Sequence, residues 1–452
     1  MDINWQKAID DANEIFLAAL HRVDPLAMLG RCLAVEASEL VLRTDYEVAR
    51  ICLHEFDRIC VFAMGKAAAR MALGVEQALG ERITQGLVAV KEGCAENLSK
   101  LSVLECGHPL PDRRSTIAAE RFLALAQGFD KRTLALVLIS GGGSAAVCAP
   151  RKGLSLEEKM ETTKVLLSCG ATIQELNCVR KHLSAIKGGQ LAKALAPATV
   201  VSLILSDVVG DDLDAIASGP TVADPTSFSD SIKVIQRYEL ENRIPPNVLH
   251  YLRSGAAGKQ PETPKPGDPI FSRTQNLLIG TNRQALFAGR ARARQLGYAP
   301  LVLTSRLTGE AKEAALMILS IGKDIASWGF PLARPACVLL GGETTVTLRG
   351  TGKGGRNQEM ALAFLAALQR SPKDAQSLLF FSASTDGTDG PTDAAGAFAS
   401  SKLLESAQLA GLNPEVFLKN NDSYHFFDSC AGLVRTGPTK TNVCDIQILL
   451  AL

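Results

Sequence analysis

Short runs of apolar residues alternate along the chain with longer stretches of good helix formers. In the first half, the runs that predict strands occupy 58–65, 86–93, 101–107, 133–140 and 200–205. Strands that alternate with helices predict parallel sheets flanked by helices, so the expected fold class is α/β. Even the most apolar of these runs are far too short to cross a bilayer and are typical of buried strands.

Polar residues that can accept hydrogen bonds from a first helical turn mark several helix boundaries. Ser115 is the predicted N-cap of the helix that follows the strand at 101–107. Ser155 and Glu158 have the spacing of a capping box, which predicts a helix directly after Ser155. A further helix is predicted to start at Asn282 and to stop at Gly297.

The alternating pattern is lost between Pro245 and Pro269, where proline, glycine and charged residues are concentrated. Such a composition is typical of a seam between domains. We predict a Rossmann-like domain with a mainly parallel sheet at 1–245, a linker at 246–270 and a second α/β domain at 271–452. The alternation resumes after the seam with the strand-like segment NLLIGT and continues to a terminal strand, CDIQILL.

The composition is that of an ordinary globular protein: 452 residues, 46% hydrophobic, 21% charged, with a formal net charge of +1. This balance argues against nucleic acid or a membrane surface as the main partner. The eleven cysteines include no C-x-x-C pair, so neither a zinc site nor a disulfide framework is indicated. The first residues carry acidic side chains early and lack the layout of a signal or transit peptide, so we expect a cytoplasmic protein. A homodimer is one of the assembly states that the sequence allows.

Glycine-rich and charged segments directly follow the predicted strands. In doubly wound sheets, ligands bind at the carboxyl ends of the strands. The segments at these ends are Gly65-Lys66, GGGS (141–144), SDVVGDD (206–212), GGET (341–344) and STDGTDGPTD (384–393). We therefore expect the chemistry of the protein to lie there.

Two of these segments are suited to binding an anion. Lys66 opens a helix, where the macrodipole disfavours a cation by roughly 0.3–1 kcal/mol unless an anion is close. Gly141, Gly142 and Gly143 allow backbone N–H groups to approach an anion, with Ser144 beside them. The segment is neither a Walker motif nor a nucleophile elbow. The structural alternatives are a surface lysine and a tight turn.

The segment TIQELNCVRKHLSAIKGG (172–189) predicts a helix with a buried face formed by Ile173, Leu176, Val179, Leu183 and Ile186. At about 100° per residue, Arg180 and Lys187 fall within that apolar arc. An unpaired buried cation is costly, so both are expected to meet an anion. The alternative is that their stems snorkel to the surface, which is more credible for Lys187 than for Arg180.

Acidic residues follow two of the predicted strands. Asp207 and Asp211 are candidate ligands of Mg²⁺, which proteins usually hold through one or two carboxylates together with waters and phosphate oxygens. For Asp212 and Asp214, turn formation or capping is the favoured interpretation. The acidic residues of 384–393, which include Asp386, do not match a calcium loop, and Asp-Gly turns explain much of that segment.

A glycine cluster stands between a β-type run and a helix-forming run in TLRGTGKGGRNQEMALAFL (347–365). Gly350, Gly352 and Gly355 fit the dinucleotide fingerprint G-x-G-x-x-G, which is weak evidence by itself. The acidic residue expected about 20 positions later is not there, because Asp386 lies some ten residues too far along. Arg356 places positive charge at the helix start, which favours a clamp on a phosphoryl group over a hydride site.

Taken in order, these segments resemble the glycerate kinases whose carboxyl-terminal part is called the MOFRL domain. The resemblance covers nearly the whole chain. The motifs that carry it are AMGKAA (63–68), GHPLPD (107–112), LISGGGSA (138–145), NCVRKHLSAIKGGQLA (177–192), LSDVVGDDLDAIASGPT (205–221), GGETTVTLRGTGKGGRNQE (341–359), STDGTDGPTDAAGA (384–397) and TGPTKTNVCDIQILL (436–450).

The resemblance implies phosphorylation of D-glycerate with ATP and Mg²⁺, typically to 2-phosphoglycerate, on a Rossmann-like domain followed by the MOFRL domain. The essential lysine and arginine of the family correspond to Lys66 and Arg356. We expect them to supply positive charge to the transferred phosphoryl group from the first and second domains, and closure of the domains to exclude water.

The remaining roles are assigned on chemical grounds. Arg180 is the candidate for the glycerate carboxylate, because a guanidinium suits a planar anion. Asp207 either orients the attacking hydroxyl or holds Mg²⁺. The glycine loops at 141–143 and 352–355 are expected to cradle phosphates. The further predicted binding residues are Gly65, Ser144, Lys187, Glu343, Asn357 and Asp386.

Two rival functions stay open at this point. One is an NAD(P)H-dependent hydroxypyruvate reductase, which would act on nearly the same three-carbon acid. The other is a non-catalytic sensor of phosphorylated metabolites, against which the dense set of cations and carboxylates at the strand ends argues.

Overall fold

The computed structural model describes residues 3–373 and 375–452. They form two compact units: Pro25–Ile279, and Gly280–Leu452 together with the amino-terminal segment through Asp24. Within the described ranges, no helix is both long enough and apolar enough to cross a membrane.

The helices are α1 (Trp5–Arg22), α2 (Pro25–Cys32), α3 (Ala68–Leu79), α4 (Arg113–Leu125), α5 (Gly143–Ala146), α6 (Leu156–Ser168), α7 (Ile173–His182), α8 (Gln190–Leu195), α9 (Phe228–Arg237), α10 (Pro246–Ala256), α11 (Asn282–Gln295), α12 (Ala311–Trp328), α13 (Arg356–Arg370), α14 (Ser401–Leu409), α15 (Pro414–Lys419) and α16 (Ser423–Ser429). The strands are β1 (Leu33–Glu36), β2 (Glu39–Arg43), β3 (Val48–Cys52), β4 (Arg58–Met64), β5 (Gln85–Lys91), β6 (Ser102–Cys106), β7 (Thr133–Ile139), β8 (Thr199–Leu205), β9 (Thr274–Gly280), β10 (Ala299–Leu307), β11 (Ala336–Gly342), β12 (Leu378–Ser384), β13 (Gly396–Ser400), β14 (Leu433–Val434) and β15 (Asp445–Ala451).

The unit Pro25–Ile279 contains the predicted Rossmann-like sheet. Its strand order is β6-β5-β4-β7-β8-β9, and the pairs from β6 through β8 are parallel. Every side chain of β7 is buried, as expected for a strand covered on both faces. Phe62 packs edge-on against Phe122 of α4, with ring centroids 5.3 Å apart. The prediction of a parallel sheet flanked by helices is confirmed here.

The second unit has a mixed sheet, and the expectation of a parallel sheet is wrong for most of it. The strand order is β10-β11-β15-β12-β13-β14, and only β10 and β11 among these neighbours are parallel. The terminal strand β15 lies in the middle of the sheet, antiparallel to both neighbours. Helix α13 is buried without interruption from Asn357 to Leu368, and its Phe364 stacks on Phe380 at 4.9 Å.

The units divide at other places than the sequence predicts. The segment predicted as a linker begins with α10, whose Val248 and Leu252 are buried in one apolar cluster with Phe228 of α9. The segment NLLIGT forms β9, which lies beside β8 in the first sheet. Proline and glycine are frequent in this stretch, but apolar residues at helical spacing hold α10 to the body of the unit.

The amino-terminal helix α1 belongs to the carboxyl-terminal unit. Asp11 accepts a hydrogen bond from the Tyr298 hydroxyl at 2.7 Å, and the Phe16 ring lies 5.2 Å from that of Phe381. Ile15 is fully buried. The predicted domain at 1–245 therefore starts too early, because contacts distant in sequence decide where α1 packs.

Two predicted helix starts have different outcomes. Ser155 accepts from the N–H of Glu158, whose carboxylate accepts from the N–H of Ser155, which confirms the capping box. Helix α4 starts earlier than predicted, because Asp112 is its N-cap and Ser115 is the third helical residue of another capping box.

Candidate active site

The loops that follow β4 and β7 are hydrogen-bonded to each other. The N–H of Lys66 donates to the carbonyl oxygen of Gly141 at 2.8 Å, and that of Ala67 to the Ser140 hydroxyl at 3.1 Å. Gly65 has a φ of 116°, and a Cβ there would lie 2.4 Å from the Ser140 carbonyl oxygen. Only glycine fits such a position, so the sequence Gly65-Lys66 fixes the lysine against the glycine loop.

Three side chains surround the glycine loop at 141–143. A Cβ on Gly142, which has a φ of 81°, would lie 2.9 Å from the His108 ring and 3.3 Å from Cγ of Lys66. A Cβ on Gly141 would lie 2.0 Å from a carboxylate oxygen of Asp207. The carboxyl ends of β4, β7 and β8 therefore bring Lys66 and Asp207 to one place, as the sequence predicts.

Part of the predicted anion cradle is available in this loop. The Gly143 N–H donates to the Ser140 carbonyl oxygen at 3.2 Å and is used in the turn. The N–H groups of Gly141 and Gly142 donate to no acceptor within 3–373 and 375–452. These two donors, the half-buried Lys66 and the half-buried Asp207 form a polar site that could receive a phosphate.

His108 is a further residue of this site, and it was not among the residues predicted from the sequence. Burial, followed by the charges of Lys66 and Lys91, lowers the pKa of His108 to about 4. Its imidazole is therefore neutral at neutral pH. The available signal was its place in GHPLPD, directly after β6, at the same sheet edge as the other strand ends.

Lys187 lies at the same loop, although not on a helix. Helix α7 ends at His182, and Lys187 follows in the turn before α8. Its Nζ donates to the Ser144 hydroxyl at 2.8 Å and to the Ser144 carbonyl oxygen at 3.1 Å. The side chain is 2% exposed, so the snorkelling alternative is wrong. Burial, Arg180 and Lys159 lower the pKa of Lys187 well below its usual range.

The other predicted residues of this helix have mixed outcomes. Arg180 is half-buried, and burial lowers its pKa. It forms no ion pair with a carboxylate among the described residues. Ile173 is 48% exposed, in contrast to the prediction, because it is the first residue of α7 and lies at the surface.

The acidic residues after β8 separate into different roles. Asp211 has a φ of 61° and lies in a turn, where its N–H donates to the Val208 carbonyl oxygen at 3.1 Å. Asp214 forms an ion pair with the buried Lys181 at 2.8 Å, in line with a structural role. In the described part of the chain, no group of three or more His, Cys, Asp or Glu side chains could hold a metal ion.

In the second predicted cradle, at 352–355, the chain itself accepts hydrogen bonds from the N–H groups of Gly352 and Lys353. Residues 347–350 form no strand. The N–H of Gly350 donates to the Asn421 side chain, and that of Gly352 to the Asn420 carbonyl oxygen. The turn that the dinucleotide fingerprint requires directly between strand and helix is absent, since β11 ends at Gly342 and α13 begins at Arg356.

The start of α13 is also occupied. The buried carboxylate of Asp389 accepts from the N–H groups of Asn357 at 3.1 Å and Gln358 at 2.9 Å. A Cβ on Gly355 would lie 2.3 Å from the same carboxyl group. The Asn357 side chain bonds Ser382 and Asp389. An internal carboxylate therefore takes the place in which we expected a phosphate.

Arg356 is held by two carboxylates. Its Nε and Nη2 donate to Asp445 at 2.5 and 3.0 Å, and its Nη1 donates to Glu343 at 2.7 Å. Burial acts to lower the pKa of Arg356, but the hydrogen bonds and charge of Asp445 outweigh it and raise that pKa. Asp445 was not predicted, because it follows no strand and instead begins β15.

Asp386 has the turn role that its Asp-Gly sequence suggests. Its carboxylate accepts from the Ser384 hydroxyl at 2.9 Å and from the N–H of Thr388 at 3.0 Å. Glu343 is exposed and pairs with Arg356. Both residues therefore lie near the ends of β11 and β12, and their predicted part in binding stays a prediction.

Comparison with known proteins finds relatives that match nearly the full length of the chain. The model of a domain of unknown function (DUF4147) matches residues 11–253, and that of the MOFRL family matches residues 336–445. A Pyrococcus horikoshii protein named glycerate 2-kinase is 38% identical over 96% of this chain and 94% of its own length. An Agrobacterium vitis protein provisionally named hydroxypyruvate reductase is 42% identical over 87% of each chain.

The solved structure of a relative has the same fold as this chain. The crystal structure of a glycerate kinase from Thermotoga maritima superposes with a TM-score of 0.86 at 36% identity, covering 99% of this chain and 100% of that one. The two family models and the relatives of nearly the same length therefore indicate the same family. The chain belongs to the family of glycerate kinases that carry a carboxyl-terminal MOFRL domain.

Proposed function

We propose that this protein is a kinase that transfers a phosphoryl group from ATP to D-glycerate and forms 2-phosphoglycerate. The observation that carries the proposal is the joined pair of loops after β4 and β7, which places Lys66, two N–H donors and Asp207 together. Relatives named glycerate kinase that match nearly the full length of the chain support it. We further propose a cytoplasmic protein.

Phosphoryl transfer requires positioning and neutralisation of charge more than covalent help from the protein. Lys66 supplies a compact positive charge, and Gly141 and Gly142 supply N–H donors at fixed positions. His108 is neutral and lies beside Gly142, as Lys66 does, so it adds no competing charge. In this proposal, these residues bind and orient the nucleotide phosphates.

The residues present fit Mg²⁺ bound in the company of a nucleotide. Magnesium is usually held by one or two carboxylates, with waters and phosphate oxygens completing its shell. Asp207 lies against the glycine loop and offers such a carboxylate. A magnesium site of this kind needs no cluster of three protein ligands, so the lack of such a cluster within the described ranges does not conflict with it. When bound, the metal neutralises charge on the phosphates. The alternative role of Asp207, orienting the attacking hydroxyl, also fits its position.

We propose Arg356 as a second cation for the reaction. Its two partners fix the guanidinium in one orientation while leaving it part-exposed. Arg356→Ala is expected to lower turnover by orders of magnitude, but it also leaves the buried Asp445 carboxylate unpaired, which is strongly destabilising. The double variant Arg356→Ala/Asp445→Asn removes both charges. If the double variant regains wild-type turnover, the role of Arg356 is structural only.

The reductase alternative is kept because one relative carries that provisional name. The segment 350–355 argues against it, since the N–H groups of 350–352 are bonded to Asn420 and Asn421 and the segment does not form the turn of a dinucleotide site. The decisive experiment incubates the pure protein with D-glycerate, Mg²⁺ and ATP, and separately with hydroxypyruvate and NADH. We expect 2-phosphoglycerate by mass spectrometry in the first assay. Turnover in the second assay alone would refute the kinase, and binding without turnover would favour a sensor.

A further inference from the structure

Four cations of the unit Pro25–Ile279 are close enough to act on one another, and one of them reaches the glycine loop. Lys187 reaches Ser144 of that loop with its Nζ. Lys159 extends from α6, Arg180 from α7, and Arg151 follows α5. The charges of Arg180 and Lys159 act on Lys187, and those of Arg180 and Arg151 act on Lys159. We call these residues the cationic cluster.

The backbone holds the cluster in a fixed frame. The N–H of Arg151 donates to the Leu183 carbonyl oxygen at 3.1 Å, and that of Ala185 donates to the Ala149 carbonyl oxygen at 2.9 Å. The segment that carries Arg151 is thus bonded to the segment between Arg180 and Lys187. The cluster is therefore a preorganised feature of the fold and not a set of mobile surface side chains.

The cations are buried, and several of their donors have no protein acceptor. Lys159 is 3% exposed and Lys187 is 2% exposed. Nζ of Lys159 and both Nε and Nη2 of Arg151 are buried without a hydrogen-bond partner in the described part of the chain. A buried ammonium without an acceptor is costly, so the fold keeps these donors at the expense of stability.

Among the described residues, no carboxylate acts on Lys159, Arg180 or Lys187. The groups that act electrostatically on Lys159, Arg180 and Lys187 are one another, Arg151 and the Cys148 thiol. Glu262 and the Tyr251 hydroxyl act on Arg151 alone. Burial and this mutual repulsion lower the pKa of Lys159 to about 8. The cluster therefore has the charge that complements an anion.

We propose that Lys159, Arg180 and Lys187, with Arg151 beside them, form a binding pocket for a small oxyanion, namely the carboxylate or the phosphoryl group of the substrate. Guanidinium and ammonium groups bind such oxygens through charge-assisted hydrogen bonds. Lys187 bridges the pocket to the loop at 141–144, so an anion held there lies next to the site of phosphoryl transfer. The identity of the anion rests on the proposed kinase function, whereas the pocket itself does not.

The test replaces Lys159 by methionine, which keeps the length of the side chain and removes its charge. Lys164→Met is the matched control, because Lys164 is exposed on the same helix. D-glycerate and inorganic phosphate are titrated separately into the full-length protein by calorimetry. We expect Lys159→Met to weaken binding of one of these anions by about tenfold or more, the loss of a hydrogen bond between charged groups. The control is expected to bind as the wild type does.

The affected anion identifies the ligand group. Weakened binding of D-glycerate, with a raised KM for D-glycerate and an unchanged KM for ATP, assigns the carboxylate to the pocket. Weakened binding of phosphate alone assigns the phosphoryl group. Phosphate binding that depends on Lys159, in a protein that neither binds nor phosphorylates D-glycerate, upholds the pocket and refutes the kinase.

Stability provides a check on the variant. Since Lys159→Met removes a buried charge without a partner, it is expected to melt at or above the wild-type temperature. If it fails to fold, Arg180→Met gives the same test with a half-buried side chain. Wild-type affinity for both anions in the folded variants would overturn the proposal.

Discussion

Lys66 is fixed by its own backbone. Its N–H is bonded to Gly141 at 2.8 Å, and its side chain passes over Gly142 beside His108. The side chain therefore brings positive charge to the loop at 141–143, which is the proposed phosphate site.

Lys66→Ala is expected to lower kcat by orders of magnitude while the melting temperature changes little, because a half-buried surface charge contributes little to stability. Lys131→Ala is the matched control, since Lys131 is exposed before the amino end of β7, away from the carboxyl ends of the strands. Steady-state kinetics with D-glycerate and ATP measure both. Full activity in Lys66→Ala would show that the site is misplaced.

His108 predicts an acid sensitivity of the fold. Its pKa is about 4 in the folded protein, below the usual histidine value of about 6.5 in an unfolded chain. Between these values the unfolded chain binds more protons, so stability contributed above about pH 6.5 is lost as the pH falls towards 4. Thermal unfolding from pH 7 to 4.5 should show a steeper loss for the wild type than for His108→Gln. Parallel curves would contradict the buried neutral imidazole.

At the scale of elements, two glycine-rich segments of similar appearance have different structures. The loop at 141–143 keeps the N–H groups of Gly141 and Gly142 free of acceptors from the described residues, whereas Asn420 and Asn421 occupy those of 350–352. The backbone N–H groups at the start of α13 likewise donate to the carboxylate of Asp389. Contacts distant in sequence therefore decide which N–H groups of each loop are already bonded.

Gly142→Ala tests the loop as an element. The substitution is expected to cost about 1 kcal/mol for the left-handed backbone and also to push a methyl group against His108 and Lys66, which should greatly reduce activity. Gly153→Ala is the control, because Gly153 has a φ of 90° and open space around its Cα. It should lose similar stability by thermal unfolding and keep its activity. Equal activity in both variants would contradict the role of the loop.

For the whole molecule, the chain ends meet in one unit. Helix α1 packs in the unit whose sheet contains the terminal strand β15 at its centre. Folding of this unit therefore needs both ends of the chain, although they are distant in sequence. A destabilising substitution in α1 should therefore also destabilise the carboxyl-terminal part of the chain.

Ile15→Ala is expected to destabilise that unit by about 2–5 kcal/mol, because Ile15 is fully buried. Leu17→Ala is the control on the same helix, since Leu17 is 56% exposed. Hydrogen exchange reports the location of the effect. We expect Ile15→Ala to lose protection in α11 and β12 and Leu17→Ala to resemble the wild type. Loss of protection confined to the sheet around β4 would contradict the assignment of α1.

The sequence by itself determined the features that depend on neighbouring residues. Strand-forming runs, the capping box at Ser155 and the glycine turns are local, so the parallel sheet and the meeting of Lys66, Gly141 and Asp207 at its edge were predictable. The local pattern predicts which strands are neighbours only in a sheet built from repeated strand–helix pairs, where each strand lies beside the strand of another such pair.

The tertiary structure decided what depends on pairing across long distances. It inserted β15 between β11 and β12, brought Asp445 to Arg356, filled the turn at 350–352 and drew α1 and β9 to units other than those predicted. It also buried Lys159, which no local pattern distinguishes from an exposed lysine of the same helix. Burial and hydrogen-bond partners are properties of the packed chain, because they depend on residues that the sequence separates and the fold brings together.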